Sequence, residues 1–324
     1  MTSIPVLLDV DTGLDDAMAI LFAVAHPDVE LIGITCVAGN TSLENVVANT
    51  LKVLDVAEAP EVPVAAGSRR PLIEPARASH VHGGDGLGDL GLPPSRRVAD
   101  PRHAVDLARD LLLAAPEPVT VVALAPQTNL ALLLRQHPEV VPKIARVLFM
   151  GGSASGGNAT AMAEFNVWHD PEAAAIVIDS GVPTFMYGLD VFNQVVIDET
   201  DADRLAAGDS ASGRLTAALL RAQLADDADG LPDPDGYAGH IGDAGALCAL
   251  VDPGALQVER HPVRVELAGS ARGQTIVDRR RRIGEDTVHG DGPGATRPVP
   301  IDVALDVDAP RYARLFLDTI ARLP

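Results

Sequence analysis

Residues 6–20 read VLLDVDTGLDDAMAI. An apolar run ends in Asp9 and Asp11, turns through Gly13, and opens a helical stretch beginning with Asp15 and Asp16. A strand, a tight turn and a helix in that order form the first half of a βαβ unit. Four carboxylates thereby gather at the carboxyl end of a strand. Residues i and i+2 of a strand share a face, so Asp9 and Asp11 are expected on one side unless the strand has ended before Asp11. Their repulsion calls for compensation, which a helix N-terminus supplies in part and a hard cation such as Ca²⁺ or Mg²⁺ supplies better. Two capping and two solvated carboxylates are the plainer alternative, and they account less well for all four together. An EF-hand does not fit: counted from Asp9, Ile20 stands where the bidentate Glu belongs.

Working outward, strand-like runs over Pro5–Leu8, Glu30–Val37, Val62–Ala65, Val119–Leu124, Arg146–Met150 and Pro183–Tyr187 alternate with helical ones over Asp16–Ala25, Leu43–Val56, Pro101–Ala114, Thr128–Arg135 and Pro171–Asp179. The alternation predicts an α/β fold, with one open, mainly parallel central sheet flanked by helices. Beyond about residue 200 come a helix over Ser212–Leu224, an acidic Gly/Pro-rich segment, another helix, and strand-like runs near Val263–Leu267 and Val299–Leu305. No repeat or linker divides residues 1–324, so a single domain is expected. Residues 225–240 read as a loop long enough to serve as a mobile lid.

The 324 residues are 47% apolar and carry a formal net charge of −20. That charge argues against a grip on nucleic-acid phosphates and against an anionic membrane surface. No export signal and no membrane-spanning window are visible, so a cytoplasmic location is the default expectation. Cys36 and Cys248 each sit in an apolar stretch without metal or redox spacing and read as buried packing residues. The run Arg279–Arg282 reads as a surface strand or subunit contact within so acidic a chain.

Further polar segments each follow an apolar strand and so fall at the same sheet edge, where open α/β sheets bind ligands. They are Val37-Ala38-Gly39-Asn40, the loop His82-Gly83-Gly84-Asp85-Gly86-Leu87-Gly88, Pro126-Gln127-Thr128-Asn129-Leu130, and MGGSASGGNATAMAEFNVWHDPEAA from Met150. Asn158, Glu164 and Asn166 can pair with neutral hydroxyls. Taken singly, they would be ordinary loop residues, and Met150 would be core.

Together with DVDTGLDDAMAI and the late ALDVD, these segments resemble the inosine-uridine preferring nucleoside hydrolases over nearly the whole chain. The resemblance implies a Ca²⁺-dependent enzyme with a Rossmann-like core that hydrolyses the N-glycosidic bond of ribonucleosides. It further implies that Asp11, Asp16, Asp243 and the Thr128 carbonyl hold the cation, with Asp11 the general base. Asp15 and Asn166 would hold the 2′ and 3′ hydroxyls, Asn158 and Glu164 the 5′ hydroxyl, and Asn40 would support that network. Met150 and Tyr237 complete the candidate substrate contacts, and Asp9 would orient its neighbours without touching metal.

One departure stands out. Many family members carry His before the metal-binding Asp, and here the sequence is His240-Ile241-Gly242-Asp243. Glycine donates no proton, so the acid that assists the departing base must come from His82, Tyr237 or His240. By analogy a homodimer or homotetramer is expected. Two other readings remain. A haloacid-dehalogenase-like phosphatase would use Asp9 as nucleophile, but the chain's only lysines are Lys52 and Lys143. A non-catalytic nucleoside or ribose binder is the other, and it has no need of the base Asp11.

Overall fold

Val6 and Leu8 face one side of the first strand and Leu7 the other, and all three are buried, so this strand must be covered on both faces. The computed structural model describes residues 3–79, 81–224, 237–280 and 300–324. Its first half alternates as the sequence predicts: β1 (Ile4–Val10), α1 (Leu14–Ala25), β2 (Val29–Cys36), α2 (Leu43–Val56), β3 (Val64–Ala66), α3 (Ala104–Ala114), β4 (Val119–Ala123), α4 (Thr128–Gln136) and β5 (Ile144–Met150). There follow α5 (Phe165–His169), α6 (Pro171–Ile178), β6 (Thr184–Tyr187), α7 (Leu189–Phe192), β7 (Val196–Asp198), α8 (Glu199–Ala207) and α9 (Ala211–Leu224). The described chain closes with β8 (Tyr237–His240), α10 (Ala244–Val251), β9 (Leu256–Val265), β10 (Thr275–Val277), β11 (Pro300–Val307) and α11 (Ala309–Ile320).

The main sheet runs β10-β9-β11-β6-β5-β4-β1-β2-β3. Its pairs from β3 to β11 are parallel, while β9 pairs antiparallel with β11 and β10 antiparallel with β9. The chain first winds outward from β1 to β3, then returns to lay β4 on the other side of β1. That reversal leaves a crevice at the carboxyl ends of β1 and β4. One apolar layer packs residues of α1, α2, α9, α10 and α11 on the sheet, and a second packs α3, α4 and α6 on its opposite face.

The differences from expectation have local causes. Helix α1 starts at Leu14 rather than Asp16, because Asp16 reaches back to accept the Gly13 N–H at 2.9 Å and so caps the helix it belongs to. Helix α3 starts at Ala104 rather than Pro101, because His103 Nδ1 accepts the Val105 N–H and sets the start there. Strand β9 begins at Leu256, well before Val263, as its first residues are mostly exposed and lack an apolar run. In the segment read as a lid, Tyr237–His240 forms β8 and pairs with β7, while residues 225–236 lie outside the described residues. Arg279 and Arg280 are exposed beyond the end of β10, not in a strand, and residues 281–282 lie outside the described residues. Cys36 and Cys248 are buried and free. Among the described residues no helix is long and apolar enough to cross a membrane.

Candidate active site

Strand β1 ends at Val10, and this separates the two aspartates that flank it. Asp9 still belongs to the strand and turns toward the layer of α3 and α4, where Thr35 Oγ1 donates to its Oδ1 at 2.6 Å and Asn129 Nδ2 at 2.9 Å. Asp11, past the end, accepts the Asn40 N–H at 2.7 Å and neighbours Asp16. The strand has ended before Asp11, the case in which the two aspartates need not share a face.

The turn after β2 is fitted closely to Asp11. A side-chain carbon on Gly39 would overlap Asp11 Oδ2 and lie 2.8 Å from Cγ, so only glycine admits this approach. Asn40 then braces two carboxylates at once, donating its backbone N–H to Asp11 and its Nδ2 to Asp16 Oδ2 at 3.1 Å. Asp16 Oδ1 in turn accepts the Asp11 N–H at 3.2 Å.

Asp243, at the start of α10, enters the same crevice from the far end of the chain. Asp15, Asp16 and Asp243 each bring one carboxylate oxygen within 4.8 Å of the others. Asp11 Oδ1, Asp15 Oδ1 and Asp243 Oδ1 are all buried with no hydrogen-bond partner among the described residues. Orphaned buried carboxylate oxygens are costly, and a hard divalent cation is the partner such a donor set fits. Burial, then the charge of Asp16, pushes the Asp11 carboxyl well above its usual range. Burial, then Asp15, raises Asp16 to about 7, and burial with the charges of Asp15, Asp16 and Asp11 raises Asp243 strongly. Burial and mutual repulsion thus disfavour the charged forms of all three, and a bound cation would favour them.

On the other side of the crevice, Met150 ends β5 and is buried, and the loop after it returns through Glu164. Glu164 caps α5, with Oε1 accepting from Asn166 N at 2.8 Å and Oε2 from Gly152 N at 2.9 Å and Val167 N at 3.0 Å. A carboxylate offers about four acceptor sites, so one remains for a ligand hydroxyl. Burial raises Glu164 to about 7. Asn166 Nδ2 ties the ends of β4 and β5 by donating to Leu124 O at 2.9 Å and Met150 O at 3.2 Å. Asn158 is exposed, and its Oδ1 accepts the Phe165 N–H.

The three candidate acids are placed differently. His82 Nδ1 accepts the Leu14 N–H at 3.1 Å, which brings its ring beside Gly13 and within the field of Asp15. Burial lowers its pKa, and Asp15 opposes that shift. His240 is half-buried on β8, its backbone bonded on both sides to Gln223 and its ring stacked on Phe192 at 6.5 Å. Tyr237, at the head of β8, is 39% exposed.

Two supports were not anticipated from the sequence. Asn129 bridges Asp9 to the Cys36 carbonyl, fixing the residue next to Thr128. Asp170 is fully buried: it caps α6 through Ala173 N and also accepts Thr128 Oγ1 at 2.6 Å and Leu72 N at 2.9 Å. An Asp-Pro pair announces the cap; nothing in the sequence announces the reach to Thr128.

The family profile for inosine-uridine preferring nucleoside hydrolases matches residues 6–314. The pyrimidine-specific ribonucleoside hydrolase RihA of Salmonella gallinarum is 36% identical over 321 residues, covering 98% of each chain. Among solved structures, a plant nucleoside hydrolase, the PpNRh1 enzyme, superposes with a TM-score of 0.88 at 30% identity over 98% of each chain. A purine-preferring ribonucleoside hydrolase from Gardnerella vaginalis gives 0.85 at 30% identity, again over 98% of each chain.

Proposed function

The chain belongs to the inosine-uridine preferring nucleoside hydrolase family, and on that premise we propose that it cleaves ribonucleosides to ribose and free base in a Ca²⁺-dependent reaction. The observation that supports the cation requirement is the set of buried carboxylate oxygens on Asp11, Asp15 and Asp243 that have no hydrogen-bond partner among the described residues. Asp11, Asp16, Asp243 and the Thr128 carbonyl would hold the ion. When bound, Ca²⁺ supplies a hard Lewis acid that acidifies water and gathers ribose hydroxyls.

The chain's own residues do the rest. Asp11, its carboxylate held by Asn40, accepts the proton of the attacking water. Asp15 and Asn166 hold the 2′ and 3′ hydroxyls, and the spare acceptor site of Glu164, with Asn158, takes the 5′ hydroxyl. As the base departs, positive charge grows on the ribosyl ring, and carboxylates already in place stabilise it. His82 is the best-placed donor to the leaving base, since its ring lies beside the carboxylate cluster while His240 is fastened into β8.

Asp9, the nucleophile that a phosphatase reading needs, is bonded to Thr35 and Asn129, away from the crevice. The relatives are described as pyrimidine-specific and as purine-preferring, so the test spans both base classes. Free ribose is measured from inosine, uridine, cytidine and adenosine after EDTA treatment and again with Ca²⁺ restored. Release that returns with Ca²⁺ supports the proposal; nucleoside binding without ribose from any of the four supports the non-catalytic binder. A cytoplasmic homodimer or homotetramer belongs to the same reading, and sedimentation of the purified chain tests the assembly.

A further inference from the structure

Asn129, the second residue of α4, is buried, and its side chain is bonded in three directions. Its Nδ2 donates to Asp9 Oδ1 at 2.9 Å and to the Cys36 carbonyl at 3.0 Å, while its Oδ1 accepts the Ser68 N–H at 2.9 Å. A side-chain amide has two N–H hydrogens, and both are used. The chain leaving β3 is pressed against this amide: a side-chain carbon on Gly67 would stand 2.7 Å from Asn129 Cγ. One residue thus gathers the carboxyl ends of β1, β2 and β3.

Those ends carry the turn that meets Asp11. Beyond Cys36, Val37 N donates to Val10 O and Ala38 N to Ser68 O, each at 2.9 Å, and Asn40 N then reaches Asp11 Oδ2. Asn129 therefore holds this segment twice, directly at Cys36 and through Ser68 at Ala38. We propose that Asn129 is a positioning residue for Asp11 and Asp16: it fixes where the 37–40 turn ends, so that Asn40 can brace both carboxylates. Its effect on Ca²⁺ binding rests on the cation reading given above; its effect on the turn does not. Aspartate, of the same size, cannot replace it, because Asp9 and the Cys36 carbonyl both need a donor.

The test is hydrogen exchange at the Asn40 amide of the full-length chain, beside calorimetric titration with Ca²⁺ alone and thermal melts. Asn129→Asp should speed Asn40 exchange by about 10-fold or more, since a looser turn opens more often. It should weaken Ca²⁺ binding by about 10-fold, the lower end of the range seen when groups that orient metal ligands are altered. Thr184→Val is the control: it loses a buried bond, from Thr184 Oγ1 to the Val182 carbonyl at 2.8 Å, at the start of β6. It should melt earlier with Asn40 exchange and Ca²⁺ affinity as in the wild type. Asp9→Asn/Asn129→Asp reverses the bond between the two side chains but leaves the Cys36 carbonyl without its donor, so it should melt later than Asn129→Asp yet keep the fast exchange. Unchanged exchange in Asn129→Asp overturns the proposal, as does an equal change in Thr184→Val or full recovery of slow exchange in the double variant. Should Asn129→Asp fail to fold, the double variant carries the comparison; if neither folds, the proposal is overturned, because a residue that only positions a turn is not required for folding. Wild-type protein that takes up no Ca²⁺ overturns the cation reading alone, and the exchange result still decides the role of Asn129.

Discussion

Asp11 has two roles in the proposed reaction, ligand and base, and its surroundings separate them. One oxygen is bound by the Asn40 N–H and the other is free for a cation or water. Asp11→Asn keeps the shape and removes the charge, so turnover should fall by about 10²- to 10⁴-fold with the circular dichroism spectrum unchanged. Wild-type turnover by a Ca²⁺-loaded variant would remove Asp11 from the mechanism. His82 gives a sharper contrast. Because Nδ1 accepts from Leu14, the proton of the neutral ring sits on Nε2, the nitrogen left to face a ligand. His82→Ala should therefore lower kcat for inosine and uridine by about 10²-fold or more while barely touching a nitrophenyl riboside, whose leaving group needs no proton. His240→Ala should change both substrates alike; a loss confined to the nucleosides would transfer the acid role to His240.

The loop between β5 and α5, which carries Asn158 and Glu164, is held from outside by residues of other elements. Thr275 Oγ1 on β10 accepts the Ser153 N–H at 2.8 Å and donates to the Ser153 carbonyl at 2.7 Å, while Asp190 on α7 accepts Ala154 N and Ser155 Oγ, each at 2.7 Å. Thr275→Val leaves a buried amide without a partner, so stability should fall by about 1–3 kcal/mol in urea melts. The KM for uridine should rise more than kcat falls, since the loop binds and does not react; an unchanged KM would separate this clamp from ribose binding. Such ties mark the limit of what the sequence displays. The strand-turn-helix of residues 6–20, α2 to the residue, and the order of motif-bearing segments are all legible, because each follows from periodicity and capping within a short window. Helix α11 is equally legible within its own window: Asp308 caps it, Pro310 stands at its start, and Tyr312, Phe316 and Ile320 recur on its buried face. The reach of Thr275 to Ser153 and of Asp170 to Thr128 is not, because each joins residues far apart in the chain through a contact that leaves no local pattern.

At the scale of the whole molecule, the site is a concentration of carboxyl groups whose protonation the fold controls. Asp16 and Glu164 sit at about 7 against ordinary values of 3.8 and 4.5, so the metal-free folded chain holds protons there that the unfolded chain has released. Raised carboxyl pKa values contribute stability that is fully present below the ordinary values of 3.8 and 4.5 and is lost as pH rises through about 7. His169, lowered to about 4 by burial, works the other way once pH drops below its ordinary 6.5. Metal-free protein should accordingly melt at a falling temperature from about pH 6.5 to about pH 8, and the gain on adding Ca²⁺ should grow over the same range because the ion takes the place of the protons. A flat profile in EDTA would mean that the carboxyls are not strained by burial. The meeting of the turn after β1 with Asp243 also sets an order in time. A loop spanning most of the chain must close before those carboxylates face one another, and contacts between such distant segments form late. A chain emerging from the ribosome thus carries only part of a cation site until α10 has been made and docked, and in refolding, Ca²⁺ uptake should trail the recovery of helical signal as a marker that the last long-range closure is complete.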